Sequence, residues 1–216
     1  IDRAAFLGYD ALAITLHDAQ LDLAPHLEYA AERNLLLIPG IERTINGKHV
    51  LLLNFDRGDT EAVQSFDDVA SLRRSGDGLV IAPHPFFPDR TCLGPLLDEH
   101  KDLFDAVEWN GMFLRGINFN ARAARWATAN GKPMVGNGDV HRIEMLGTTY
   151  SLVDAPPDVN AICRAVREGA VRVEARPHSV LAATRIMASV LLTPEKVKGE
   201  RSKVKGVQPL PSTFAP

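Results

Sequence analysis

Short apolar runs alternate with amphipathic stretches along most of the chain, and this alternation limits the fold more than any other feature. The predicted strands are 11–15, 35–38, 50–54, 79–82, 106–109, 133–136 and 171–174. The predicted helices are 21–33, 60–74, 94–101, 117–130, 159–168 and 178–191. Strands of four or five residues, each followed by a helix, are typical of a mainly parallel sheet covered by helices. The sequence therefore predicts an α/β fold, either a doubly wound sheet or a barrel.

Polar side chains follow the C-terminal ends of five predicted strands. In chain order they are His17, Glu42, His84, Asn110, and Asp139 together with His141. In a (β/α) barrel the active site lies on one rim, built from the loops that follow the strands. A doubly wound sheet instead concentrates its ligands at one switch point. Ligands after nearly every strand therefore favour a barrel.

The residue types on this rim indicate a metal site. Imidazoles combined with carboxylates suit Zn²⁺, Mn²⁺ or iron, whereas a Mg²⁺-only site would consist mostly of carboxylates. Asp139 and His141 can project to the same side of an extended segment, so two adjacent metals could share them. Alone, His17 or His84 would be an ordinary partly buried histidine; their shared position at strand ends favours the metal site.

The other polar candidates keep two interpretations open. Glu108 and Asn110 either orient the ligands or have structural roles. The remaining histidines, His26, His100 and His178, lie within or beside predicted helices, and we expect them to be surface residues.

Composition divides the 216 residues into a domain and a tail. The formal net charge of −3 gives no general attraction to nucleic acid or membrane. Residues 195–216 carry five basic side chains against two acidic ones, a net +3. We predict one hydrolase domain at 1–192 and a basic, proline-containing, disordered tail at 193–216. The alternative for the tail is a weak contact with phosphate or nucleic acid.

Cysteine usage and hydropathy predict a cytoplasmic protein without a membrane partner. Cys92 and Cys163 lie 71 positions apart, in no metal or redox spacing, which favours a reducing compartment. No apolar run approaches the roughly 18 residues of a membrane span. The chain also lacks the Gly-x-Ser-x-Gly, Walker and Gly-x-Gly-x-x-Gly motifs.

Five short segments between residues 8 and 141 follow one another in the order found in one enzyme superfamily. They are Thr15-Leu16-His17-Asp18, Pro39-Gly40-Ile41-Glu42, His49 before an apolar strand, Ala82-Pro83-His84-Pro85, and Gly138-Asp139-Val140-His141. These segments resemble, in turn, the Thr-Asp-His, Gly-Ile-Glu, histidine, His-Pro and Ser-Asp-Ala-His motifs of the PHP (polymerase and histidinol phosphatase) superfamily. Residues 147–187 also resemble the closing region of that superfamily.

The resemblance implies a distorted (β/α)₇ barrel that holds up to three divalent metal ions, such as Zn, Mn or Fe. The implied ligands are His17, Glu42, His49, His84, Asp139 and His141, with Glu42 as a bridge between metals. Glu42 and Asp139 are the implied catalytic carboxylates. The implied activity is hydrolysis of a phosphomonoester or a terminal phosphodiester, on a small phosphorylated substrate or a nucleic-acid end, through a metal-activated water.

Two departures from the family pattern keep alternatives open. Leu16 replaces the usual Asp of Thr-Asp-His, and the opening His-x-His on the first barrel strand is absent from this chain. Either those residues and that strand were lost from this chain, or the site is degenerate. The alternative functions are a non-catalytic, degenerate metal-binding domain and a metal-dependent amide or ester hydrolase.

Overall fold

The computed structural model describes residues 1–192, in which strands and helices alternate. The strands are β1 (Ala11–His17), β2 (Leu36–Ile45), β3 (Lys48–Leu53), β4 (Leu79–Ala82), β5 (Ala106–Asn110), β6 (Met134–Asn137), β7 (Thr149–Val153) and β8 (Val171–Ala175). The helices are α1 (Asp2–Phe6), α2 (Leu27–Ala31), α3 (Arg57–Ala62), α4 (Phe66–Ser75), α5 (Leu96–Glu99), α6 (Asn120–Ala129), α7 (Val159–Arg167) and α8 (Val180–Leu192). Short 3₁₀ turns lie at Ala24–His26, Lys101–Leu103 and Ile143–Met145.

Strands β1 to β6 form one curled, six-stranded sheet in chain order. This half-barrel is consistent with a distorted, partial (β/α) barrel, so the predicted fold class is confirmed. The predicted basic tail at 193–216 lies outside the described residues. Within residues 1–192, no helix is long and apolar enough to cross a membrane.

Strand β3 is the main departure from the predicted parallel sheet. It runs antiparallel to both β2 and β4, whereas β1–β2, β4–β5 and β5–β6 are parallel. Asn46 and Gly47, both at positive φ (51° and 73°), form the two-residue turn between β2 and β3. Such turns require left-handed backbone at both positions and leave no room for a helix. The expectation that a helix follows each strand is therefore wrong here, and Glu42 lies within β2 rather than after it.

The predicted helices differ most where a cap or a proline interrupts the pattern. The single helix predicted at 60–74 is two helices, because Ser65 and Asp68 form a capping box that starts α4 anew. The helix predicted at 21–33 shortens to a 3₁₀ turn containing Pro25 and the five-residue α2. The helices predicted at 117–130, 159–168 and 178–191 are confirmed as α6, α7 and α8. Strand β7 was not predicted.

Alternation along β3 separates two apolar layers. Val50 and Leu52 pack with residues of α4 and α5 on one face, and Leu51 packs with Cys163 of α7 on the other. Burying each aliphatic side chain contributes about 1.5–3 kcal/mol. Glu42 lies opposite Leu51 in the strand register, so both project to the same face. That face lines a cavity of about 1420 Å³, which is apolar along the strands and polar where they end.

The antiparallel pair β7–β8 packs beside β6. Ser151 Oγ of β7 accepts from the Gly136 amide at 2.9 Å and lies 3.2 Å from the Gly136 carbonyl oxygen. A Cβ on Gly136 would lie 2.5 Å from the Tyr150 carbonyl oxygen. Glycine at this position therefore permits the close approach of β7 to β6.

Candidate metal centre

The register of the first three strands places three candidate ligands on one face of the sheet. Strand β1 runs parallel to β2 with His17 beside Glu42, and β3 returns antiparallel with His49 opposite Thr44. Because side chains alternate along a strand, His49 lies on the same face as Leu51 and Glu42. One ligating atom from each of His17, Glu42 and His49 lies within 4.8 Å of the other two.

Glu42 lies at the centre of this arrangement, and its residue is only 6% exposed. Its Oε2 lies 2.9 Å from His17 Nδ1. Its Oε1 lies 3.0 Å from His49 Nδ1 and 3.2 Å from His84 Nε2. The two carboxylate oxygens therefore contact different imidazoles.

The loops after β4 and β6 supply the other candidate ligands. His84 and Asp139 both adopt positive φ, at 29° and 46°. Asp139 Oδ1 lies 3.2 Å from His141 Nε2. Asp139 Oδ2 accepts from Asn110 Nδ2 of β5 at 2.9 Å.

Four imidazoles form a continuous cluster at this rim. Ring centroids are 5.0 Å apart for His17–His49, 5.6 Å for His49–His84 and 5.9 Å for His17–His141. All six residues predicted as ligands are thus brought together by the fold: His17, Glu42, His49, His84, Asp139 and His141. Of the other three histidines, His26 is exposed, His100 stacks on Phe66 with centroids 4.0 Å apart, and the His178 amide donates to the Phe113 carbonyl.

Comparison with known proteins supports the same superfamily. Residues 118–171 match the family model of PHP-associated domains. This segment includes α6, β6, β7, α7 and the Asp139–His141 loop. This part of the chain is therefore similar to PHP-associated domains. No curated protein matches the sequence significantly.

The PHP-like fold recurs in solved bacterial structures of low sequence identity. One is a two-domain protein from Bacteroides vulgatus containing a predicted PHP-like metal-dependent phosphoesterase; the TM-score is 0.61 at 18% identity, over 81% of this chain and 60% of that one. PsfC from Pseudomonas syringae gives 0.61 at 15% identity, over 88% and 86%. An amidohydrolase from Chromobacterium violaceum gives 0.56 at 18% identity, over 79% and 90%. The chain therefore spans about 60% of the length of the B. vulgatus protein.

The imidazoles around Glu42 keep this carboxylate ionised. Burial alone raises the pKa of this carboxyl. The neighbouring imidazoles of His17, His49 and His84 outweigh burial and hold the pKa of Glu42 far below its ordinary value. Glu42 therefore offers a negative carboxylate at any neutral pH.

A second group of interacting titratable side chains consists of His84, Glu108 and Asp139, at the ends of β4, β5 and β6. Burial lowers the pKa of His84, but contact with Cys92 and the nearby carboxylates outweigh it and raise this pKa to about 11. Partial burial raises the pKa of Asp139, yet the imidazoles of His141 and His84 hold it low. Burial raises the pKa of Glu108. The negative potential of the nearby carboxylates keeps a proton on His84, and the same potential would favour binding of a divalent cation.

The donors of this site fit a divalent metal of the zinc, manganese or iron type. Four imidazoles and two carboxylates form a mixed nitrogen and oxygen set. His49 Nδ1 is buried and, although 3.0 Å from Glu42 Oε1, has no hydrogen bond of acceptable geometry. Buried polar atoms nearly always have a bonding partner. A cation shared with Glu42 would supply this partner to His49 Nδ1.

Two supporting residues were not identified from the sequence. The Asp18 carboxylate accepts from the Thr44 amide and hydroxyl, both at 2.8 Å, and from Arg43 at 2.9 Å. These bonds tie the residue after His17 to the residues just beyond Glu42. Cys92 Sγ lies 3.3 Å from His84 Nδ1. Asp18 directly follows the predicted ligand His17, which is a weak sequence signal for its bonds to Arg43 and Thr44. Nothing in the local sequence indicated the contact between Cys92 and His84.

Proposed function

We propose that this PHP-like domain is a metal-dependent phosphoesterase. It would bind up to three Zn, Mn or Fe ions and hydrolyse a phosphomonoester or a terminal phosphodiester. The observation that carries the proposal is the convergence of four imidazoles and two carboxylates at one rim. The implied ligands are His17, Glu42, His49, His84, Asp139 and His141.

Glu42 has the geometry of a bridging carboxylate. One of its oxygens contacts His17, and the other contacts His49 and His84. A carboxylate whose oxygens face different imidazoles can serve two neighbouring cations, since each oxygen is available to one of them. This arrangement supports a cluster rather than a single ion.

Exposure indicates the side from which the substrate would approach. The side chains of His17, His141 and Asp139 are 29%, 30% and 27% exposed, whereas that of Glu42 is 8% exposed. When bound, divalent cations lower the pKa of water to about 7 and offset charge on a phosphoryl group. Asp139 and Glu42 would hold those cations, with Asp139 nearest to the substrate.

A phosphoryl substrate is supported by the B. vulgatus protein, which contains a predicted PHP-like metal-dependent phosphoesterase. The substrate would be a small phosphorylated molecule or a nucleic-acid end. The C. violaceum structure, described as an amidohydrolase, is the observation that favours the second candidate, amide or ester hydrolysis.

Turnover of model esters by the metal-loaded chain tests the proposal. We expect hydrolysis of p-nitrophenyl phosphate or of a 3′-phosphorylated oligonucleotide, and none of p-nitrophenyl acetate. Asp139→Ala should lower the rate by more than about 100-fold, because the variant loses a ligand beside the open face. Asp59→Ala, an exposed carboxylate on α3, is the matched control and should leave the rate unchanged.

The other outcomes separate the alternatives. Turnover of the acyl ester alone would replace the proposal with an amide or ester hydrolase. Bound metal without turnover of any substrate would favour the non-catalytic domain. Full phosphatase activity and full metal content in Asp139→Ala would contradict the assignment of Asp139. A cytoplasmic location, inferred from the two cysteines, stays a prediction.

A further inference from the structure

Strand β5 lies between β4 and β6 in the sheet, yet it contributes none of the six proposed ligands. It presents Glu108 and Asn110 instead, two residues apart and therefore on the same face. Both residues are almost fully buried, with 2% and 1% exposure. A buried carboxylate and a buried amide at the centre of a ligand rim are costly unless each is satisfied by specific partners.

Their partners are the loops that carry His84 and Asp139. Glu108 Oε2 accepts from the His84 backbone amide at 2.6 Å. Asn110 Nδ2 donates to Glu108 Oε2 at 3.2 Å and to Asp139 Oδ2 at 2.9 Å. One chain of hydrogen bonds thus links the β4 loop, through β5, to the β6 loop.

Both loops need such support because His84 and Asp139 have left-handed backbone conformations, at φ 29° and 46°. A non-glycine residue in this region is strained and persists only where its surroundings hold it. The Glu108 bond acts on the backbone of His84, and the Asn110 bond acts on the carboxylate of Asp139. Each bond thus holds a proposed ligand at the point where the chain is strained.

Asn110 is itself fixed from behind by α6. Its backbone amide donates to Asn120 Oδ1 at 2.9 Å, and its carbonyl accepts from Asn120 Nδ2 at 2.9 Å. Asn110 Oδ1 also accepts from the Met112 amide at 2.7 Å. Asn120 is 0% exposed, so these bonds are shielded from water. The Asn110 side chain is held by the Met112 amide at Oδ1 and by the two carboxylates at Nδ2.

We propose that Glu108 and Asn110 are positioning residues that fix His84 and Asp139 relative to each other, so that these two can hold one cation of the cluster. The hydrogen bonds of Glu108 and Asn110 run to the loops that carry His84 and Asp139, whereas His17 and His49 lie on β1 and β3. The pair therefore acts most strongly on the affinity of the part of the centre that His84 and Asp139 form. This inference rests on the proposed function for the presence of a metal. The hydrogen bonds that carry it are formed by the residues of the chain alone.

Calorimetric titration of Zn²⁺ into the metal-free chain provides the first test. Asn110→Ala and Glu108→Gln should each weaken one class of bound zinc by about 10- to 100-fold and change the affinity of the remaining class much less. Val107→Ala is the matched control for lost stability, because Val107 is 0% exposed and lies one residue away on the opposite face of β5. It should lower stability without changing either class. Asn160→Ala, an exposed amide, controls for the loss of an amide group.

Amide hydrogen exchange in the metal-free protein provides the second test and separates this inference from the proposed function. Glu108→Ala, which removes the acceptor of the His84 amide, should accelerate exchange at His84 by about tenfold, with exchange at Ile81 of β4 unchanged. If the wild type binds no zinc, the proposed function fails, but the exchange result still decides the positioning role. Unchanged exchange at His84 would overturn the inference, and so would equal weakening of zinc binding by Val107→Ala and Asn110→Ala.

Discussion

Gly136 of β6 has no space for a side chain. An added Cβ would lie 2.5 Å from the Tyr150 carbonyl oxygen and 3.0 Å from Val173 Cγ1. Because the first of these is a backbone atom in a strand, it cannot rotate away as a side chain would. Gly136→Ala should therefore lower the free energy of unfolding by about 1–3 kcal/mol, as measured by urea denaturation.

Gly116 provides the matched control for this substitution. A Cβ at Gly116 would have no heavy atom within 4 Å, and its φ lies outside the left-handed region. Gly116→Ala should leave the free energy of unfolding unchanged or raise it by less than about 1 kcal/mol. Equal stability of the two variants would show that β6 and β7 do not pack as described.

Helix α4 depends on its first turn. Ser65 Oγ accepts from the Asp68 amide at 3.2 Å, and Asp68 Oδ2 accepts from the Ser65 amide at 2.9 Å. Loss of a serine N-cap costs about 1 kcal/mol, so Ser65→Ala should lower the unfolding free energy by about that amount in urea. Ser71→Ala, within the same helix, should have a much smaller effect. A Ser65→Ala variant as stable as the wild type would refute the capping role.

The same cap predicts a pH dependence. Hydrogen bonds from the Gln64 amide and the Ser65 side chain hold the pKa of Asp68 below its ordinary value. A lowered pKa stabilises the fold above the unfolded pKa of about 4, and the effect is lost as pH falls through the folded pKa. Asp68→Asn should therefore be less stable than the wild type at neutral pH, and the deficit should shrink at acid pH.

Urea denaturation at several pH values measures this deficit. Asp67→Asn, in the same turn but outside the capping box, is the control and should show a smaller deficit. A deficit of Asp68→Asn that is as large at acid pH, below the folded pKa of Asp68, as at neutral pH would contradict the ionised cap.

Element boundaries show where sequence reasoning succeeds and where it fails. Strands β1, β4, β5, β6 and β8 were predicted nearly as they are, because a short, continuous apolar run bounded by turn residues is typical of a buried strand. The hairpin of β2 and β3 was missed, although Asn46-Gly47 is a strong local signal for a two-residue turn. Strand β7, with its TYSLV sequence, alternates too weakly in hydrophobicity to be distinguished from a loop.

Hairpin geometry also explains why His49 could not be found from its position. The other candidate ligands lie at or beyond the C-terminal ends of strands, or late in β2. His49 lies near the start of β3, but β3 runs antiparallel, so its start meets the C-terminal ends of its neighbours at the same rim. Only the resemblance to PHP motifs indicated this residue, since the strand-end rule assumes parallel strands.

At the scale of the whole molecule, the fold gathers residues from 17 to 141 at one rim of the sheet. The gathering was predictable, because parallel strands all end at the same edge and their polar residues follow directly. The hydrogen bonds that hold the ligands were not, since they depend on side-chain contacts between the β4, β5 and β6 loops. Glu108 and Asn110 were recognised as candidates, but their partners only follow from the three-dimensional arrangement.

The central claim is that Glu42 and the imidazoles around it hold divalent metal, and elemental analysis tests it most directly. The chain is purified at neutral pH without chelator, and Zn, Mn and Fe are counted per protein for the wild type, Glu42→Gln and the exposed control Glu28→Gln. We predict one or more equivalents in the wild type and in Glu28→Gln, and a loss of at least one equivalent in Glu42→Gln. Metal-free wild type that takes up none of the three ions on titration, or full metal content in Glu42→Gln, would contradict the account.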